Sequence, residues 1–321
     1  MNNLKKIGLT ALGTALVSTG AANAASMSVS GATSIFFNGE NNSNMGNGWS
    51  MTDAITFSAS GTMDNGWEVS TSIQIDGQPA AAANSGRSIS IDTGEFGKFT
   101  YVGNDSGGPV GAWDDLTPSA NEESWGTAVS GTQDGPTNTS ADDGVWKWDY
   151  TVDAIDGLSV AAAYFPSDNT DTAGARVESS LEYGVAYAHD SGLTIKYAMG
   201  ENNDNATTKI DNNVASIVYA MDNGLSLGYQ MNESDYSTAN DEDFTAYGVS
   251  YQVNEDLTIS YGSSTIDYEA STKEDQDSTA VSVSYTQGGL SISASMQATD
   301  NVAGTSTADN EGYEINFAFA F

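Results

Sequence analysis

The sequence has no cysteine, one histidine, few basic residues and, beyond its N-terminus, no long apolar run. Without cysteine there is no disulfide framework, thiolate nucleophile or zinc–thiolate site. Nine Lys and Arg stand against 43 Asp and Glu in 321 residues, a formal net charge of −34 at pH 7. Phosphate recognition needs clustered Lys and Arg, so nucleic-acid binding is excluded. A Ser/His/Asp site would have to use His189, which lies in the turn-like run His189-Asp190-Ser191-Gly192. No base beside a nucleophile occurs elsewhere, so the chain is not expected to be an enzyme. A membrane helix needs about 20 consecutive apolar residues, and without them any passage through a membrane must be made by strands.

Lys5 and Lys6, the apolar stretch from Ile7 to Val17 and the small triplet Ala22-Asn23-Ala24 follow the order of a secretory signal cleaved after Ala24. The remaining chain, 25–321, keeps seven basic against 43 acidic residues, a formal charge of −36. Such acidity with abundant Gly, Asn, Ser and Thr is also the composition of disordered chains. Against disorder stand 15 Tyr, 10 Phe and 6 Trp, recurring at regular spacing, and one large β domain is expected.

Apolar and polar residues alternate along nearly the whole chain. In 290–298 the apolar set is Leu290, Ile292, Ala294, Met296 and Ala298; in 313–321 it is Tyr313, Ile315, Phe317, Phe319 and Phe321. Successive strand side chains point to opposite faces, so each segment carries one apolar and one polar or small face. Sixteen such segments are predicted: 27–37, 51–62, 67–75, 87–92, 98–103, 145–153, 158–165, 177–188, 193–200, 213–221, 225–232, 244–253, 257–266, 278–285, 290–298 and 313–321, the pattern being faintest at 87–92 and 98–103.

Their connections alternate too. Short ones, such as Asp64-Asn65-Gly66 and Asp222-Asn223-Gly224, carry the residues that tight hairpins demand, whereas long polar ones lie near 38–50, 76–86, 104–144, 166–176, 201–212, 233–243, 267–277 and 299–312. Tight turns at one end and long loops at the other describe a transmembrane antiparallel β-barrel. A closed sheet of sixteen strands is too wide for side chains to fill, so water must occupy the interior and the apolar faces must look out to lipid. Aromatic residues near predicted strand ends (Trp49, Trp67, Trp146, Trp148, Tyr150, Tyr183, Tyr187, Tyr251, Tyr268 and Tyr313) suit the interfacial girdles of such a barrel.

With its signal sequence, the segment Ser88–Gly103 (SISIDTGEFGKFTYVG) and the terminal Phe321, the chain resembles the general porins of Gram-negative bacteria. The resemblance implies a sixteen-stranded homotrimer in the outer membrane that passes small hydrophilic solutes and ions without a cofactor. It also implies that the barrel-assembly machinery reads a C-terminal strand ending in an aromatic, here Tyr313, Phe319 and Phe321. In that family the loop after the fifth strand folds into the barrel and narrows it.

Here that connection is 104–144, the longest in the chain, with Asp105, Asp114, Asp115, Glu122, Glu123, Asp134, Asp142 and Asp143 and neither Lys nor Arg. Asp114, Asp115, Glu122 and Glu123 are the candidate constriction carboxylates. Family members set an arginine cluster on the wall opposite this loop, and this chain departs from that pattern. By strand parity Lys147 and Lys196 face the lumen, with Arg176 near the outer rim, while Arg87 falls on the apolar parity at a strand end. A negative lumen and a preference for cations are expected. The alternative is a surface adhesin or structural barrel whose acidic loops, among them Asp241-Glu242-Asp243 and Glu274-Asp275-Gln276-Asp277, take Ca²⁺ through oxygen ligands, although no fixed ligand spacing appears.

Overall fold

The computed structural model describes residues 23–41, 48–77, 83–103, 107–126, 128–133, 144–167, 178–203, 209–237 and 241–320. Arg176, Phe321, Asp105, Asp134, Asp142 and Asp143 lie outside them.

Sixteen strands pair in sequence order, each antiparallel to the next: β1 (Asn23–Glu40), β2 (Trp49–Thr62), β3 (Glu68–Asp76), β4 (Ala83–Asp92), β5 (Lys98–Val102), β6 (Val145–Thr151), β7 (Leu158–Phe165), β8 (Ser180–Ala188), β9 (Leu193–Asn202), β10 (Ile210–Ala220), β11 (Leu225–Tyr236), β12 (Glu242–Gln252), β13 (Leu257–Tyr268), β14 (Gln276–Gln287), β15 (Leu290–Asp300) and β16 (Asn310–Ala320). β1 pairs with β16 from Ala32↔Ala320 to Glu40↔Gly312, which closes the sheet into a barrel. Closure leaves no sheet edge, as a sheet crossing hydrocarbon requires. Every predicted strand has its counterpart.

Three of the tight turns share one mechanism. At 63–67, 189–193 and 221–225 the first residue's N–H bonds the fifth residue's carbonyl, and the fourth residue's N–H returns to the first residue's carbonyl. The fourth residue is Gly66, Gly192 or Gly224, with φ of 86°, 87° and 86°. That left-handed conformation costs a residue with a Cβ, so glycine is required there. In two of these turns an asparagine completes the bend: Asn65 Oδ1 accepts from the Trp67 N–H and Asn223 Oδ1 from the Leu225 N–H.

Strand parity decides what each face meets. On β11 Leu227 and Met231 are exposed on the outside, whereas Gln230, Asn232 and Ser234 are buried on the inside. The outer belt continues through Ile217, Tyr247, Tyr261, Val281 (58% exposed) and Met296 (71% exposed). A lysine at such a position costs about 2–4 kcal/mol at the bilayer midplane, which is why the outward set is predominantly apolar.

Two expectations are corrected in detail. β11, β12, β13 and β14 reach two to four residues further toward the loop end than the apolar alternation does. Their outward positions there are Glu233, Asp235, Asp243, Asp267 and Asp277, so the ladder continues where the outer face has left hydrocarbon for water. Tyr268 belongs to no girdle: it sits on the inward parity of β13, buried, with the Lys273 ammonium 3.8 Å from its ring centroid.

Candidate pore constriction and its lining

The connection from β5 to β6 contains a short helix, α1 (Pro109–Ala112), and turns into the barrel. A loop placed there must find partners for its backbone polar groups, and inward side chains of the wall supply them. Glu182 Oε2 on β8 accepts from the Val110 N–H at 2.9 Å, and Gln230 Oε1 on β11 from the Leu116 N–H at 2.7 Å. Ser260 Oγ on β13 accepts from the Ala120 N–H at 2.8 Å, while Asn121 Nδ2 donates to Ser295 Oγ at 2.8 Å and to Glu314. The Ser124 hydroxyl meets that of Ser264 at 2.9 Å. Further on, Gln276 clasps Gln133, accepting from its N–H at 3.1 Å and donating to its carbonyl at 2.9 Å; Gln297 donates to Thr132, and Glu40 on β1 takes the Ser130 N–H. Each such bond stabilises by about 0.5–1.5 kcal/mol net, and more where a carboxylate accepts.

The loop thus follows the inner wall from β8 round to β1. Glu182 and Gln230 beneath it are 0% exposed. On β2 and β3, in contrast, no described inward side chain is buried. The aqueous passage therefore runs between the loop and the wall of the first strands. That wall presents hydroxyls: Ser34 pairs with Thr52 at 2.6 Å, Ser72 with Ser88 at 2.9 Å and Ser90 with Thr100 at 2.9 Å. Among the described inward positions of β1 to β4 there is neither Lys nor Arg, and the charged ones are Glu40, Glu68, Asp76 and Asp92.

Of the candidate carboxylates, Asp115, Glu122 and Glu123 come close enough for their charges to act on one another. Asp115 is exposed and accepts from Trp125 Nε1 at 2.8 Å. Glu122 is fixed through its carbonyl, which accepts from Ser282 Oγ at 3.3 Å. Glu123 is largely buried, and desolvation, reinforced by its acidic neighbours Asp115 and Glu122, pushes its carboxyl up to about 7 although the Ser119 hydroxyl favours the charged form. Asp114 is held by its carbonyl, to which Gln230 and Asn232 donate.

Lys147 and Lys196 both take the inward parity, Lys147 opposite Thr100 and Ala163, Lys196 opposite Ala186 and Ser216. The Lys196 ammonium lies 5.5 Å from the centroid of the Trp113 ring in the loop. Arg87 is exposed on the outward parity of β4, but within the strand and not at its end, opposite Ile73. Tyr313 and Phe319 are exposed on the outer face of β16.

Sequence reasoning missed two groups. Lys98 shares the inward parity near the turn end, opposite Asp92 and Asp149. The anchors Glu182, Gln230, Gln276, Gln297 and Glu314 were also passed over, though they are long polar members of an inward set rich in Ser, Thr, Gly, Ala and Asn; that contrast in size was the available signal.

His189 Nδ1 bonds the Ser191 hydroxyl at 2.9 Å and accepts from the Ser191 N–H at 3.1 Å, contacts that shape a turn. In the acidic loops Asp241 accepts from the Tyr236 N–H, Glu242 from Lys273 and Asp277 from Thr265. Among the described residues no three His, Asp or Glu gather so as to hold a metal ion.

A closed sixteen-stranded barrel, apolar outside and polar within, with a loop folded along its inner wall, is the architecture of an outer-membrane channel. The family model of the Gram-negative porins matches residues 8–321, and the chain belongs to that family. No curated protein matches it. Among solved structures it is similar to the anion-selective porin from Comamonas acidovorans, at 12% identity and a TM-score of 0.73, with 93% of this chain and 100% of that one covered. It is similar also to OmpF of Salmonella typhi, solved with daunomycin, at 12% identity and a TM-score of 0.71, with 92% and 97% covered. The trimer form of OmpT from Vibrio cholerae aligns at 15% identity and a TM-score of 0.68, with 93% and 100% covered. At such identities the likeness is one of fold.

Glu123 gives the constriction a pH dependence with a definite sign. A carboxyl titrating near 7 is neutral below that pH and charged above it, so the cation-to-anion permeability ratio should rise as pH increases from 6 to 8, a window about one unit either side of 7. Reversal potentials across a salt gradient measure this. Glu123→Gln should flatten the profile, and a step of wild-type size in that variant would assign it to another group.

Proposed function

We propose that the barrel is a water-filled channel for passive diffusion of small hydrophilic solutes and ions, that it prefers cations, and that it catalyses no reaction. The observation that carries the preference is the absence of Lys and Arg from the described inward positions of β1 to β4, across the passage from the loop that holds Asp115, Glu122 and Glu123. Low-dielectric walls around a narrow aqueous path focus such a potential, concentrating cations and depleting anions. The anion selectivity of the Comamonas porin does not oppose this, because fold can be shared while the lining side chains that set selectivity differ. A homotrimer is part of the same reading, supported by the trimer form of OmpT. So are lipid contacts along the apolar belt and a role for Tyr313, Phe319 and Phe321 in recognition by the barrel-assembly machinery. Removal of Phe321 should lower the yield of folded barrel in the outer membrane while export continues, and an unchanged yield would withdraw that role.

Replacing Asp114, Asp115, Glu122 and Glu123 together by Asn or Gln should reduce cation preference. The reduction should be greatest in dilute salt, since the screening length is about 10 Å at 0.1 M and about 3 Å at 1 M. An unchanged reversal potential after all four substitutions would show that these carboxylates do not set the selectivity.

A further inference from the structure

Several glycines stand on the inward parity of the strands that the loop crosses: Gly184 on β8, Gly228 on β11, Gly248 on β12, Gly262 on β13 and Gly312 on β16. None has positive φ, so their backbone is ordinary strand, in which glycine is disfavoured and needs another reason. Three are direct neighbours across the sheet, Gly228 opposite Gly248 and Gly248 opposite Gly262.

Proximity supplies the reason. A Cβ on Gly228 would collide with Cδ of Pro118, and one on Gly248 would lie 2.7 Å from Cβ of Thr117 and 2.9 Å from the backbone of Pro118. A Cβ on Gly184 would meet the Trp113 ring and lie 2.8 Å from Cβ of Pro109, and one on Gly312 would strike the Ala128 carbonyl. On Gly262 it would touch Ser124 at 3.4 Å, which is ordinary contact. Gly86, inward on β4 opposite Gln74 and away from the loop, would meet only the Gln74 Cβ at 3.6 Å.

We infer that Gly184, Gly228, Gly248 and Gly312 are positioning residues, a glycine seat in the barrel wall that lets the loop lie at backbone contact and thereby sets the bore of the passage. The inference rests on the channel reading for its consequence and on the Cβ geometry for its cause. Interiors are close-packed, so a methyl group placed behind the loop moves the loop rather than vanishing into a void. The loop then shifts toward β1 to β4 and the passage narrows.

Two readouts on intact barrels test the seat: single-channel conductance, and the disulfide formed by Ser124→Cys with Ser264→Cys, whose hydroxyls lie 2.9 Å apart in a chain that otherwise has no cysteine. Gly228→Ala should lower conductance severalfold and slow the disulfide. Adding Pro118→Ala, which removes the colliding Cδ, should restore both. Gly86→Ala, the same change on the uncovered wall, should leave both at wild-type values. Wild-type behaviour of Gly228→Ala, an equal loss in Gly86→Ala, or failure of Pro118→Ala to rescue would each overturn the seat. If Gly228→Ala does not assemble, the double variant decides: assembly with wild-type disulfide formation supports the seat, and failure of both overturns it. A wild-type barrel that carries no current contradicts the channel reading alone, and the disulfide then reports on the seat without it.

Discussion

An unpaired backbone N–H or C=O inside hydrocarbon costs several kcal/mol, and the whole molecule follows from removing that cost. A sheet can do so only by closing on itself, and here the pairing of β1 with β16 completes the ring. Closure at sixteen strands leaves an interior that side chains cannot fill, so the inner face must suit water and the outer face lipid. The period-2 alternation is the chemical expression of that division. Cross-strand hydroxyl pairs such as Ser72–Ser88 and Ser90–Thr100 stand one residue away from Ile73, Ile89 and Ile91 on the opposite face.

The same constraint acts again inside the lumen. A polypeptide crossing the barrel carries its own N–H groups, and the wall beneath it offers carboxylate, amide and hydroxyl oxygens where they are needed, from Glu182 at one end to Glu40 at the other. One half of the wall is thereby covered, and the hydroxyl-rich half is left to the passage. The electrostatics follow from that division of labour. The loop brings acids, the described inward positions of β1 to β4 bring no base, and burial, reinforced by Asp115 and Glu122, raises the Glu123 carboxyl to about 7.

Much of this was legible in the sequence because a β-barrel repeats a simple rule. Alternation found every strand, and the Asn-Gly pairs at 65–66 and 223–224 found tight turns, since glycine answers directly to φ. The loop-end limits of β11 to β14 were not legible, because there both faces are polar and the signal that marks a strand disappears while the ladder continues. Tyr268 misled for a related reason: an aromatic at a strand end reads as a girdle residue until parity turns it inward. Lys147 and Lys196 share the inward parity of β6 and β9. Most contacts between loop and wall join residues more than a hundred positions apart, such as Leu116 with Gln230 and Ala120 with Ser260, and no local pattern encodes them.

The central claim is that the polar face lines water, with one part of it covered by the loop. Since the chain has no cysteine, single substitutions can report this without background. A small, membrane-impermeant cationic thiol reagent applied to the folded barrel in lipid should react quickly at Ser58→Cys, inward on β2, and hardly at all at its outward neighbour Phe57→Cys or at Ser264→Cys beneath the loop. Fast labelling at Phe57→Cys with a silent Ser58→Cys would mean that the barrel is the other way out, and would contradict the account.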